Sequence, residues 1–167
     1  MYAYHFENAT LGYGDDTEIK IGEWIDHIGG PLVICNSGLH ASQSLLFAQT
    51  FYKHEYLALV EVEEDGMLTQ GTLPGLNVSA KVCSARRRTI ARIHAASYCI
   101  RASRLHLALM RVVFPSPELI AAEEQCECED QDLRQRVLAL AKPGMRVEYE
   151  VILRTLAVRM GLPPIPE

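Results

Sequence analysis

The sequence predicts an α+β fold: a mainly antiparallel N-terminal sheet with one short helix, packed against a C-terminal bundle of three to four helices. Three observations carry that expectation. Stretches with a period of two fill residues 1–92, apolar residues at helical spacing replace them over 93–167, and no repeat or low-complexity tract interrupts the order. A chain of 167 residues with 49% hydrophobic and 22% charged residues also has the material for one core and not two, so both parts are read as a single domain.

The elements follow in order. Tyr2-Ala3-Tyr4-His5-Phe6 is short, aromatic and alternating, which predicts a strand, and Asn8–Asp16 with its glycines is a loop. Glu18–Ile25 alternates charge with aliphatic residues and reads as a second strand. Leu32-Val33-Ile34-Cys35 reads as a buried one. Ser42 is placed to cap a short helix running to Tyr52, with Leu45, Leu46, Ala48, Phe51 and Tyr52 on its apolar face. Tyr56–Glu63 alternates cleanly, with Leu57, Leu59 and Val62 set against Ala58, Val60 and Glu61, and Asp65-Gly66 turns the chain into Met67–Gln70. Val78–Val82 suits a further strand. From Ile93 to Val113 the spacing becomes helical. Ser116-Pro117 is a cap followed by proline at the first helical position, opening Glu118–Cys126; two more helices are expected over Asp130–Lys142 and Val147–Met160.

Charge is zoned. Residues 1–80 hold two bases and eleven acids, residues 81–114 eight bases and no acid, and residues 115–167 six bases and ten acids, for a net charge of −5. Two surfaces follow as candidates. Glu61, Glu63, Glu64 and Asp65, with Glu123, Glu124, Glu127, Glu129 and Asp130, form acidic runs suited to a partner's basic groove. Arg86, Arg87, Arg88 and Arg92 form a basic run suited to phosphate, although the negative net charge argues against nucleic acid. All eight cations of residues 81–114, read structurally, answer the eleven acids of the first 80 residues. No stretch is apolar enough to span a membrane and the N-terminus lacks the layout of a secretion signal, so a cytoplasmic setting is expected. Five widely spaced cysteines are expected to be reduced thiols; Cys126-Glu127-Cys128 lacks the second ligand pair a zinc site needs, and no metal is expected.

Pro31 to Ser42, with its Cys35-Asn36-Ser37-Gly38-Leu39-His40-Ala41 core, then Val60-Glu61-Val62 leading to Asp65-Gly66, then Lys81-Val82 and the arginine-rich stretch, resemble a family of small uncharacterised proteins of bacteriophages, prophages and actinobacteria with a Cys-x-x-Gly-x-His-Ala signature. The resemblance covers about residues 1–93. It implies an accessory protein in a bacterial host cell, without cofactor, that binds a bacterial protein or ribonucleoprotein complex non-catalytically and inhibits host defence, as an anti-CRISPR does; a homodimer is compatible with it. A second resemblance, in Gly38–Ser42, the helix bearing Ala48 and Tyr52, and Val60-Glu61-Val62, is to the front half of ADP-ribosyltransferase-like domains. That resemblance implies an enzyme using NAD, with His40, Tyr52 and Glu148 or Glu150 in the pocket; the helix dipole alone, however, favours Glu near a helix start. His40 reads in two ways, as a ligand contact or as a ring bonded to its own turn.

Overall fold

The computed structural model describes residues 1–11, 17–49, 53–72, 75, 78–140 and 144–166. Strands β1 (Tyr2–Glu7), β2 (Trp24–Asp26) and β3 (Leu39–Ala41) precede the short helix α1 (Leu45–Ala48). Strands β4 (Tyr56–Val62), β5 (Leu68–Thr72), β6 (Ser79–Ser84) and β7 (Arg86–His94) come next. Helices α2 (Ala95–Val113), α3 (Pro117–Glu124), α4 (Gln131–Leu138) and α5 (Met145–Arg159) close the chain. The strands form two antiparallel sheets, one ordered β1-β4-β7-β2 and the other β3-β6-β5. The α+β expectation holds, with α2 to α5 following the strands.

The sheets join twice. The chain passes from β6 into β7 through Ala85, and Tyr4 of β1 exchanges two backbone hydrogen bonds with Ser42, just beyond β3 (2.7 and 2.8 Å). Strand β4 is covered on both faces. Leu57 and Leu59 join Tyr4, Phe6, Tyr98, Leu105 and Leu153 in the core under the helices, while Ala58, Val60 and Val62 meet Ala3, Ala41 and Val82 in a smaller core between the sheets. Val62 therefore faces with Ala58 and Val60, not with Leu57 and Leu59, and a bulge between Leu59 and Val60 shifts the β4–β7 register.

Several expected elements move. Leu32–Cys35 is no buried strand: Val33 and Ser37 bond each other across a tight turn (both 2.8 Å), and Val33 is 44% exposed. The strand in this region is β3, in which His40 pairs with Cys83. Of Glu18–Ile25 only Trp24 onward is strand, held at the sheet edge by Arg86–Arg88 of β7. Ser44, not Ser42, caps α1, accepting from the Phe47 N–H at 3.2 Å, and Phe51 and Tyr52 lie outside the described residues. Strand β7 runs to His94, so α2 starts at Ala95 rather than Ile93. The Ser116 cap and Pro117 start of α3 are as the sequence predicts, with Leu119 N–H donating to Ser116 Oγ at 3.3 Å.

Candidate functional site

Where the two sheets meet lie two adjoining, partly open cavities of about 290 Å³ each. His5 on β1, His40 on β3, His54 just before β4, and Phe6 line both. The first cavity adds Glu7, Gly38 and Arg87; the second adds Cys35, Phe47 and Lys81. Each thus holds one permanent cation beside three imidazoles.

The histidines differ in how they are held. His40 Nε2 accepts the Cys35 N–H at 2.9 Å, so its ring does bond the turn backbone as the conservative sequence reading has it, and it still reaches both cavities. It sits within β3 and not at a helix N-terminus. His54 Nδ1 lies 3.3 Å from Asn8 Oδ1. The His5 ring makes no hydrogen bond with any described residue, while its backbone pairs with Ala58 of β4. Burial pushes its pKa well down, helped by the charges of Arg87, His54 and His40. Burial likewise lowers His40, against the opposing pull of the Val33 backbone and with Arg87 and Lys81 adding to the lowering. Near neutral pH both rings are therefore uncharged; His5 offers one donor and one acceptor, while the acceptor nitrogen of His40 is already taken by the Cys35 N–H.

Beneath the first cavity Glu7 and Arg87 form a buried pair at 3.6 Å. Arg87 also donates to the His40 carbonyl at 2.9 Å, and Thr89 Oγ1 donates to the Glu7 carboxylate at 2.9 Å. Burial raises the Glu7 pKa, and Arg87 and Thr89 hold it back. At the second cavity Lys81 Nζ stands 3.0 Å from Cys35 Sγ.

Of the residues named from the ADP-ribosyltransferase resemblance, only His40 lines these cavities among the described residues. Tyr52 lies outside the described residues. Glu150, 1% exposed, is the anchor of α1: its carboxylate accepts from Ser44 Oγ and from the Leu45 and Leu46 N–H groups (each 2.8 Å), and from Arg154 Nε at 2.8 Å. Glu148 is exposed and faces a groove between α4 and α5.

The charge zoning resolves into internal pairs. Arg86 bonds Asp26 at 2.6 Å and approaches Glu63 at 3.6 Å, Arg88 bonds Glu61 at 2.6 Å, and Arg92 stacks 4.4 Å over the Tyr56 ring. Thus Arg86, Arg87 and Arg88 answer acids of the first 80 residues, as the structural reading has it. The cations of α2 instead answer the third zone: Arg101 bonds Asp130 at 2.8 Å, Arg104 reaches Glu129 at 3.3 Å, and Arg111 bonds Glu123 at 2.6 Å and reaches Glu124 at 3.5 Å. Glu123, also bonded by Arg134, and Asp130 are buried, so they hold the helices together and do not belong to an outer acidic face. Glu64 pairs with the N-terminal ammonium at 2.9 Å. Asp65 and Glu127 have no cation within 4.0 Å among the described residues.

His5, His54 and Glu7 escaped the sequence reading. A histidine inside an otherwise aromatic strand was the available signal for His5; nothing local marks Glu7 or His54. Among the described residues no group of three or more His, Cys, Asp or Glu could hold a metal ion, and no helix is long and apolar enough to cross a membrane. Compared with family models, characterised proteins and solved structures, the chain matches none.

Proposed function

We propose that this protein binds a small anionic ligand of the nucleotide class, with an ADP-ribose-bearing molecule such as NAD as the leading candidate, in the paired cavities between its sheets. One observation carries the reading: His5, His40 and His54 line both of two adjoining cavities, each with its own cation, Arg87 or Lys81. A two-part cavity with cations in both halves suits a ligand with two polar ends, and neutral imidazoles suit its hydroxyl and phosphate oxygens. The carboxylate that lines the first cavity is Glu7, held there by Arg87 and Thr89, whereas Glu150 caps α1. Calorimetric titration with NAD, ADP-ribose and AMP tests the proposal: saturable binding lost in His40→Ala supports it, and absence of binding at millimolar ligand overturns it.

A second reading has its own observation. Strand β2 forms one end of its sheet, and Ile21, Trp24 and Ile28 around it are exposed, Ile28 to 85%. As an accessory protein of phage type in the bacterial cytoplasm, the chain would dock on a host protein or ribonucleoprotein complex through this strip, because most of the acidic residues proposed for docking are engaged internally. A plasmid-interference assay for CRISPR inhibition tests this. Loss of inhibition in Trp24→Ala with Ile28→Asp supports it, and no inhibition by the unaltered protein removes it.

A further inference from the structure

We infer that Cys35 is a nucleophilic thiol that forms a mixed disulfide with small anionic disulfides, and that Lys81 is the residue that recruits and orients them. Cys35 stands at the tip of the Val33–Ser37 turn, exposed, and is the one non-glycine with positive φ (65°) among the described residues. Its backbone is pinned by the bond to His40, and its sulfur meets the Lys81 ammonium at 3.0 Å on the wall of the second cavity. Thiols act as nucleophiles where a fixed cation stands beside an accessible sulfur. The other cysteines are buried or half-buried. A second feature points to a ligand here: the His5 ring lines the same cavity and has no hydrogen-bond partner among the described residues.

The step balances without an added oxidant. Cys35 gives its proton to solvent and its sulfur attacks one sulfur of the incoming disulfide. The old S–S bond breaks, a new one forms to Cys35, and the departing half leaves as a thiolate that takes up a proton. Cys35 is oxidised and the departing half reduced. Lys81 takes no part in the bond exchange and favours an incoming group that carries carboxylates. The adduct would occupy the second cavity and close it to other ligands, yet its formation does not depend on the nucleotide reading.

The test treats the purified full chain with oxidised glutathione, which is anionic, or cystamine, which is cationic, and follows thiolation by mass spectrometry with peptide mapping. Cys35 should be the residue modified, with the anionic probe faster by about tenfold. That preference should persist in Lys81→Arg and vanish in Lys81→Met. The inference fails if the adduct maps to another cysteine, if the unaltered protein shows no preference between the probes, or if Lys81→Met keeps it. The charge preference is read on the unaltered protein, so a folding defect in a variant does not shield the inference. Thiolation with no nucleotide binding would overturn the proposed function alone.

Discussion

Replacing Glu150 by Gln removes a buried charge that holds α1 against α5. Its Oε1 accepts from Leu45 N–H and Arg154 Nε, and its Oε2 from Ser44 Oγ and Leu46 N–H. Gln keeps one oxygen, so whichever way the amide turns, two donors face an NH2 group. Hydrogen bonds to a charged acceptor contribute about 1.5–3 kcal/mol each. Arg154 is about one-third exposed and regains water, which puts the loss near the low end, about 3 kcal/mol. For a domain of this size that lowers Tm by roughly 6–12 °C. Urea denaturation of Glu150→Gln against the parent protein measures it, with the exposed Glu148→Gln as a control expected within about 0.5 kcal/mol. A Glu150→Gln protein as stable as its parent would refute the capping role and return Glu150 to the list of residues free for chemistry.

Three further outcomes follow from the geometry. Gly38→Ala should destabilise by about 2 kcal/mol or more, because φ is +123° and a Cβ there would lie 2.4 Å from Cys83 Sγ and 2.9 Å from Leu32 Cδ2; adding Cys83→Ala should recover only part, since the backbone strain remains. Tyr149→Phe should be neutral or stabilising by about 1 kcal/mol in thermal unfolding, because the buried Tyr149 hydroxyl has no partner among the described residues. The folded state holds the His5 pKa below the unfolded value, so below about pH 6.5 the unfolded chain binds the extra proton. Stability is then full above that pH and falls as the pH drops, by up to about 1.4 kcal/mol per unit for this one group. Between pH 6.5 and about 5, His5→Leu should flatten the curve of unfolding free energy against pH relative to the parent. Because Glu7 titrates with the opposite sign, that comparison and not the raw curve isolates His5.

Local signals carried the fold where the physics is local. Ser116-Pro117 and the alternation of β1, β4 and β6 specify those elements without help from the rest of the chain. Leu32–Cys35 misled because a short apolar run reads as a buried strand, whereas here it is a turn pinned by Ser37 and the His40 ring. Strand β3 was invisible for the converse reason: three residues make no pattern, and only the pairing with β6 defines it. The zoning of charge was legible, but which acid meets which arginine depends on β-register and helix packing, so outer faces and buried pairs looked alike in sequence. The site shows the same limit. His40 stood out beside Gly38, while His5, His54 and Glu7 come from separate segments and converge only through the β1–β4 pairing and the Tyr4–Ser42 junction.

The two cavities sharing His5, His40 and His54 are proposed as an anion-accepting ligand site. A bound phosphate favours protonated imidazoles whose free pKa values are held down, so binding should draw in protons. Titrating ADP-ribose calorimetrically at pH 6 and pH 8, in two buffers of different ionisation heat, tests this most directly. Saturable binding is expected, tighter at pH 6, with net proton uptake that falls in His5→Ala; no binding at either pH, or binding indifferent to both pH and His5, would rule the ligand site out.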